Sequence, residues 1–355
     1  MKYVTTSRNR TMLREASTMQ WFLVIAPLLA IVAGNYTKNP WEHKCDPGSE
    51  IYACTVASFL YRPGKIHSTL LMPEAVHKVR LAYPQDKILP ERDTIQAYDA
   101  MLHESLHRPK AIQIIHTSIE FVEIMADLEY ANFQGNWITA VSAPDREGVS
   151  YALRYLDLCD NHLESIANFS TLVNLETLLL SNNYLSTVDG TVLIRLTKLT
   201  GLSLDGNRLE ELSFDHLPAT LEWLVLSMNL LGPMNLTGVQ LPALQVLHLA
   251  DNYYDEPDIA GWLAVAPKLQ AMLLRGNNIA KDRAANITET LRLAGVAVDD
   301  ISTSDEFHTF INSFHRMHQM HMMRENIFTI LLAVGNGCVM VWGGFRLYKA
   351  RVSRQ

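Results

Sequence analysis

One leucine-containing motif recurs six times in the chain and restricts the fold more than any other feature. The first copy reads LRYLDLCDNHL from Leu153, and every copy fits LxxLxLxxNx(L/I) except where Tyr254 and Met272 replace a leucine. The asparagines of successive copies are separated by 22, 24, 22, 23 and 25 residues, at Asn161, Asn183, Asn207, Asn229, Asn252 and Asn277. A fixed period of this length indicates stacked structural repeats, because one copy cannot bury its own leucines.

The leucine spacing predicts a short parallel strand in each copy. Leu156 and Leu158 point inward from the first strand, while the asparagine side chain bonds backbone groups where the chain turns. This frame resembles the leucine-rich-repeat family, which implies an α/β solenoid, a horseshoe with a parallel sheet on its concave side. We expect repeats over residues 111–300, in eight or nine coils, since residues 112–114, 136–141 and 296–298 resemble further strands.

The two ends of the chain carry apolar runs beside basic residues. Residues 1–34 hold basic residues, the run Trp21 to Val32 and then small residues, a pattern typical of a secretory signal peptide, with an uncleaved anchor as the alternative. Residues 327–345 contain no charge and suffice to span a bilayer. The basic tail 346–355 favours a cytoplasmic carboxyl end and an extracellular amino-terminal side at the plasma membrane, a secreted form being the alternative.

Charge, cysteines and sequons agree with an extracellular middle. The net charge of −7 argues against nucleic-acid binding. Cys45 and Cys54 lie close enough in sequence for a disulfide in an oxidising compartment, whereas Cys159 is left as a free thiol or a bond to another chain. Between the two apolar runs lie four N-glycosylation sequons, at Asn35, Asn168, Asn235 and Asn286.

The amino-terminal part narrows the resemblance. The segment CDPGSEIYAC at Cys45–Cys54, a helix-like stretch from Asp93 to Leu106 and the strand from Ile112 resemble the leucine-rich immune proteins of mosquitoes. That resemblance implies an amino-terminal cap over 35–110, a role in innate immunity and pairing of chains through disulfides. The chain has neither the extra cysteines nor the coiled coil of the secreted members, so the membrane-bound type fits better.

One face of the predicted sheet is the candidate partner-binding surface. Residues that alternate with the inward leucines face the concave side, and Trp and Arg anchors dominate many protein interfaces. We expect this face to bind a protein or a microbial surface through Tyr155, Asp157, Leu179, Ser203, Trp223, Val225, His248, Leu273 and Arg275. Three sequons lie beyond the strands, where glycans would leave this face open. The alternative is that short strands simply tolerate apolar residues on both faces.

Two histidine patterns raise the question of chemistry. His103 to His107 reads HESLH and matches the zinc-hydrolase motif HExxH, but Arg108 and Pro109 follow at once. The simpler interpretation is an amphipathic cap helix with the histidines on its flank. Histidines and methionines also crowd the expected juxtamembrane stalk, 301–326, where a packed or interfacial helix is favoured over copper or zinc binding or acid sensing. No catalytic residue, metal or cofactor is predicted.

These observations predict a non-enzymatic, single-pass repeat protein that binds partners through its concave face in insect innate immunity. A cell-adhesion or developmental receptor is the alternative, since it needs the same face. A zinc hydrolase is the third candidate. A pair of chains joined by a disulfide or through the membrane helix is also possible.

Overall fold

The computed structural model describes residues 42–44, 46–47, 54–57, 59, 61–64, 69–71, 76–82 and 95–301. Its elements are mostly three-residue strands separated by irregular segments and short helices. The strands are β1 Glu42–Lys44, β2 Asp46–Pro47, β3 Cys54–Ala57, β4 Thr69–Leu71, β5 Lys78–Ala82, β6 Ala97–Tyr98, β7 Ala111–Ile114, β8 Phe121–Glu123, β9 Tyr130–Asn132, β10 Ala140–Ser142, β11 Tyr155–Asp157, β12 Thr177–Leu179, β13 Gly201–Ser203, β14 Trp223–Val225, β15 Val246–His248, β16 Ala271–Leu273 and β17 Ala297–Val298. The α-helices are Ala100–Ser105, Gly190–Leu193, Ile259–Val265 and Lys281–Leu293, and two 3-10 helices occupy Ala167–Phe169 and Phe214–His216.

The chain divides into two compact units. The amino-terminal unit comprises Met1–Leu163 and Thr171–Leu175, and the carboxy-terminal unit comprises Glu164–Ser170 and Glu176–Gln355. In the carboxy-terminal unit, β12 to β17 pair in chain order and all in parallel. These strands follow the predicted leucine frame, and β17 confirms the strand expected at 296–298.

The amino-terminal unit contains a longer parallel sheet than the sequence frame indicates. Its strand order is β11-β9-β7-β5-β3-β2, parallel except for the antiparallel pair of β2 and β3. A second parallel sheet runs in the order β10-β8-β6, and β1 pairs with β4. The strand expected at 112–114 is confirmed by β7, and two more strands, β3 and β5, lie within the region expected to form a cap.

Buried leucines form the core of each repeat. Leu178, Leu180, Leu202 and Leu204 are all fully buried, as the period-two alternation of a strand and the residues flanking it requires. Burial of this many aliphatic side chains supplies the main favourable free energy of folding.

A ladder of buried asparagines ties successive coils together. In the carboxy-terminal unit the Asn207 side chain accepts a hydrogen bond from the Leu185 N–H at 3.0 Å. Its Nδ2 donates to the carbonyl oxygens of Leu180 and Leu204, both at 2.9 Å. Because backbone groups in a turn have no ladder partner, a buried amide that both donates and accepts is the side chain this position needs.

The residue before the repeat asparagine has a left-handed backbone. Positive φ angles of 53° to 69° occur at Gly135, Asp160, Asn182, Gly206, Met228, Asp251 and Gly276, and His116, which precedes Thr117, has φ 52°. Glycine, asparagine and aspartate tolerate this region best. Met228, at φ 54°, therefore carries backbone strain that glycine would not.

No helix within the described residues is long and apolar enough to cross a membrane. The signal peptide predicted at 1–34, the stalk beyond Ile301, the membrane helix at 327–345 and the tail at 346–355 lie outside the described residues.

Candidate binding surface

The strand face is defined here as the side chains on the sheet strands that alternate with the buried core residues. In the carboxy-terminal unit, strand register aligns five of the predicted residues across neighbouring strands, namely Leu179, Ser203, Val225, His248 and Leu273. This alignment confirms the register that the repeat frame predicts. Tyr155 and Asp157 belong to the amino-terminal unit, so the two parts of the predicted surface are treated separately.

The apolar part of this face centres on Trp223. Its indole lies over Gly201, where a Cβ would meet ring atom Cζ2 at 2.0 Å. Trp223, Leu179, Val225 and Leu273 are each half-buried. Side chains of this kind carry apolar area that is still in contact with water and can be buried by a partner.

A polar cluster adjoins the apolar part. The Ser181 and Ser203 hydroxyls both donate to Oδ1 of Asp205, each at 2.5 Å. The two hydroxyl oxygens lie 3.0 Å apart. Charge-assisted bonds of this length fix the side chains that they join, so Ser203 is a rigid, nearly buried part of the face.

His248 lies in the same face, and a residue that follows β14 contacts its ring. Its Nδ1 is hydrogen-bonded to the Ser227 hydroxyl. Burial lowers the pKa of His248, the nearby Asp299 and Asp205 oppose that shift, and Arg275 reinforces it. The ring is therefore neutral at pH 7.

Arg275 stands exposed at the end of its strand. Its backbone N–H and that of Leu274 donate to the carboxylate of Asp299, with a Leu274 N to Oδ1 distance of 2.7 Å. This contact fixes the backbone at Arg275, whose side chain is exposed.

In the amino-terminal unit, Tyr155 stacks on Tyr130. Their ring centroids lie 4.3 Å apart with an interplanar angle of 4°. Burial, followed by the charge of Asp157, raises the pKa of Tyr155 well above its ordinary value. Asp157 is nearly buried, and it accepts from Asn132 Nδ2 at 3.1 Å and from the Cys159 N–H at 3.0 Å. Both predicted residues thus lie in this face, with Asp157 already engaged.

Sequence reasoning missed several residues of this face. Register places four such residues, Thr55, Arg80, Gln113 and Asn132, in one row with the predicted Asp157 across β3, β5, β7, β9 and β11. The coil that carries Asn132 reads LEYANFQGNWI from Leu128, so its repeat asparagine, Asn136, was the available signal.

The HExxH segment does not have the geometry of a zinc site. The helix is shorter than the stretch expected from Asp93 to Leu106, because Ala97–Tyr98 forms β6 and only Ala100–Ser105 is helical. His107 lies beyond the helix with φ 57°. The prediction that both histidines lie on the helix flank is wrong for His103, which is 1% exposed. Its Nδ1 is 2.6 Å from the Tyr98 hydroxyl, and its Nε2 is 3.1 Å from Asp127 Oδ1. Both ring nitrogens are therefore occupied by structural contacts.

Asp127 joins His103 to Arg108 in the same segment. Asp127 also accepts a hydrogen bond from Arg108 Nε at 3.1 Å. Burial lowers the pKa of His103 despite the opposing effect of Asp127. Within the described residues, no group of three or more His, Cys, Asp or Glu side chains is arranged to hold a metal ion.

The described sequon asparagines lie outside the strands. Asn168 lies in the 3-10 helix Ala167–Phe169, Asn235 in an irregular segment and Asn286 in the helix Lys281–Leu293, and all three are exposed. Asn35 and Cys45 lie outside the described residues. The Cys45–Cys54 disulfide and the glycans therefore stay predictions.

Comparison with known proteins supports the repeat assignment. Residues 152–209 match the family model described as leucine rich repeat. The chain is 31% identical over 156 residues to human Toll-like receptor 5. The aligned segment covers 42% of this chain and only 18% of that receptor. A crystal structure of the LRIM1/APL1C complex superposes with a TM-score of 0.52 at 18% identity, over 68% of this chain and 43% of that one.

The identity to LRIM1/APL1C is low enough that the likeness concerns the fold alone. Together with the family match, it agrees with the parallel strands and the asparagine ladder. The chain is thus similar to leucine-rich-repeat proteins in sequence over residues 152–209 and in fold over the part that superposes.

Proposed function

We propose that this protein is a non-enzymatic, membrane-anchored binding protein that uses the strand face to hold a protein partner or a microbial surface in insect innate immunity. The observation that carries the proposal is the aligned strand face of the carboxy-terminal unit. It combines half-buried Leu179, Trp223, Val225 and Leu273 with a fixed polar cluster at Ser203. Interfaces are built from such apolar anchors with a polar surround.

The immune role is supported by the kind of proteins that this chain resembles. The chain is similar in sequence to Toll-like receptor 5, and the LRIM1/APL1C structure is that of a complex between proteins. The mosquito resemblance rests on the segment Cys45–Cys54 and on the helix and strand that follow. A membrane anchor at 327–345 and glycans on Asn168, Asn235 and Asn286 belong to the same proposal, because glycans there leave the strand face uncovered.

Charge substitutions on the strand face test the proposal. The purified full chain is immobilised and exposed separately to killed bacteria, haemolymph proteins and host-cell membrane proteins. Leu179→Glu and Trp223→Glu place a carboxylate in the apolar part of the face. Ile194→Glu is the matched control, because Ile194 is 57% exposed beside the helix Gly190–Leu193 and away from the strands.

We expect capture of bacteria or humoral proteins that is lost in both strand-face variants and retained in Ile194→Glu. Equal capture by all of the folded variants contradicts binding through this face. Capture of host membrane proteins alone, with the same dependence on Leu179 and Trp223, favours adhesion over immunity.

A further inference from the structure

Arg80, in the strand face of the amino-terminal unit, has a buried side-chain nitrogen without a hydrogen-bond partner. It lies in β5, where register places it between Thr55 and Gln113. Its Nε atom is buried and has no hydrogen-bond partner. A buried donor that loses its water without gaining an acceptor lowers stability, and the penalty is larger for a charged group.

The surroundings of Arg80 are suited to an anion. Lys78 on the same strand is exposed and pairs in register with the small residue Ala111. The side-chain amide of Gln113, half-buried on the neighbouring strand, is a further donor. Two cations and an amide therefore face the same side of the sheet over adjacent strands.

Asp46 of β2 is in register with Thr55 at one end of this row, and Asp157 stands at the other end. The Asp157 carboxylate is already engaged. Asp157 accepts hydrogen bonds from Asn132 and from a backbone N–H, and it lies three strands away from Arg80 in register. It does not neutralise the guanidinium by direct contact. Stacked Tyr130 and Tyr155 lie in the neighbouring register row, two and three strands from Lys78, and they offer flat, half-buried rings.

We propose that the strand face of the amino-terminal unit binds an acidic polypeptide segment, with a Glu or Asp carboxylate of the partner received by Arg80 and Gln113. A planar guanidinium pairs with a carboxylate through two parallel hydrogen bonds. The tyrosine pair favours a polypeptide, since tyrosine is enriched in protein interfaces and contacts both backbone and side chains. The inference rests on the proposed function, for which it specifies the chemistry of the partner.

Binding of a defined polyanion tests the site directly. Fluorescent poly-L-glutamate is titrated against the full chain at low ionic strength, beside a neutral polymer of hydroxyethyl-L-glutamine and beside dextran sulfate. Arg80→Gln removes the positive charge and the paired N–H donors of the guanidinium. Arg195→Gln removes the same charge from an exposed residue that follows the helix Gly190–Leu193, outside the strands.

We expect poly-L-glutamate to bind, the neutral polymer not to bind, and Arg80→Gln to weaken the affinity by on the order of tenfold or more, as the loss of a charge-assisted pair predicts. Arg195→Gln should change it by less than about twofold. An equal effect of the two substitutions, or no binding of poly-L-glutamate, overturns the proposal. Arg80-dependent binding of dextran sulfate without binding of poly-L-glutamate also overturns it.

Stability separates a binding role from a structural one. Because the Arg80 Nε has no partner in the folded protein, Arg80→Met should leave the denaturation midpoint unchanged or raise it. A lowered midpoint shows that the guanidinium stabilises the fold and contradicts the proposal. If Arg80→Gln leaves poly-L-glutamate binding unchanged while Trp223→Glu still abolishes partner capture, the acidic-segment site fails and the proposed function stands.

Discussion

Replacing Asn207 with alanine tests the physical basis of the repeat. The Asn207 side chain is 2% exposed. Its Oδ1 receives the Leu185 N–H, and its Nδ2 donates to the carbonyls of Leu180, Leu204 and Asp205. Alanine removes all four hydrogen bonds at once.

The four bonds do not contribute equally to the expected loss. Leu180 O keeps a bond from Asn183 at 3.0 Å, Leu204 O keeps one from Asn229 at 2.9 Å, and Asp205 O keeps one from the Asn182 N–H at 2.8 Å. Only the Leu185 N–H is left without an acceptor. An orphaned buried donor costs about 1–3 kcal/mol, and weakening the three carbonyl contacts adds about 1 kcal/mol. Asn207→Ala should therefore lower the free energy of unfolding by about 3 kcal/mol.

Urea denaturation followed by far-UV circular dichroism measures this loss, with hydrogen exchange of the Leu185 amide as a local readout. Asn278→Ala is the control, because Asn278 is exposed beside the repeat asparagine Asn277, and it should change stability by less than about 0.5 kcal/mol. A loss below about 1 kcal/mol for Asn207→Ala, with unchanged protection of the Leu185 amide, refutes the reasoning.

Three further predictions follow from strain, burial and packing. Met228→Gly relieves the strain of a left-handed backbone and should raise the free energy of unfolding by about 1 kcal/mol. Gly206→Ala should lower it, because the added Cβ would meet a side-chain oxygen at 2.1 Å. Denaturation midpoints that move in the opposite directions would contradict both expectations. Burial holds the pKa of His103 below its unfolded value of about 6.5. Protonation of His103 is therefore less favourable in the folded state than in the unfolded state, so this residue leaves the free energy of unfolding constant above about pH 6.5 and lowers it as the pH falls below that value. His103→Gln should reduce this dependence of the free energy of unfolding on pH. An equal pH dependence in both proteins would contradict the prediction. Gly201→Val displaces the Trp223 indole and should weaken partner binding on the order of tenfold. Titration of the captured partner measures the affinity. An unchanged affinity would show that the position of the indole does not matter for binding.

The carboxy-terminal repeats were predictable from the sequence because each carries the full leucine frame. The strands from Thr177 to Leu273 occupy the positions that the frame assigns, and the register of the strand face follows from it. In a repeat protein, equivalent positions of successive strands pair with each other. The spacing of the repeat in the sequence is therefore enough to predict the register.

The amino-terminal sheet was harder to predict. In β9 the core position is Ala131 and the next inward residue is Phe133, so the leucine frame is weak there. β5 supplies Val79 and Leu81 to the core, and no repeat asparagine marks its coil. Alternating aliphatic residues alone do not distinguish such a strand from other short apolar segments.

Single side-chain environments could not be predicted from local sequence. His103 is buried, and its Nε2 contacts Asp127, which lies 24 residues later in the chain. The missing partner of the Arg80 Nε also depends on which residues the folded sheet brings beside it. Both features arise from tertiary neighbours that are distant in the chain.

A glycan placed in the strand face tests the central claim most directly. Val246→Asn combined with His248→Thr creates the sequon Asn-Leu-Thr around Leu247, at half-buried positions of β15. Once a mass shift confirms occupancy, we predict loss of partner capture, whereas removal of the sequon at Asn286 leaves capture intact. Undiminished capture by the fully glycosylated strand-face variant would contradict binding through this surface.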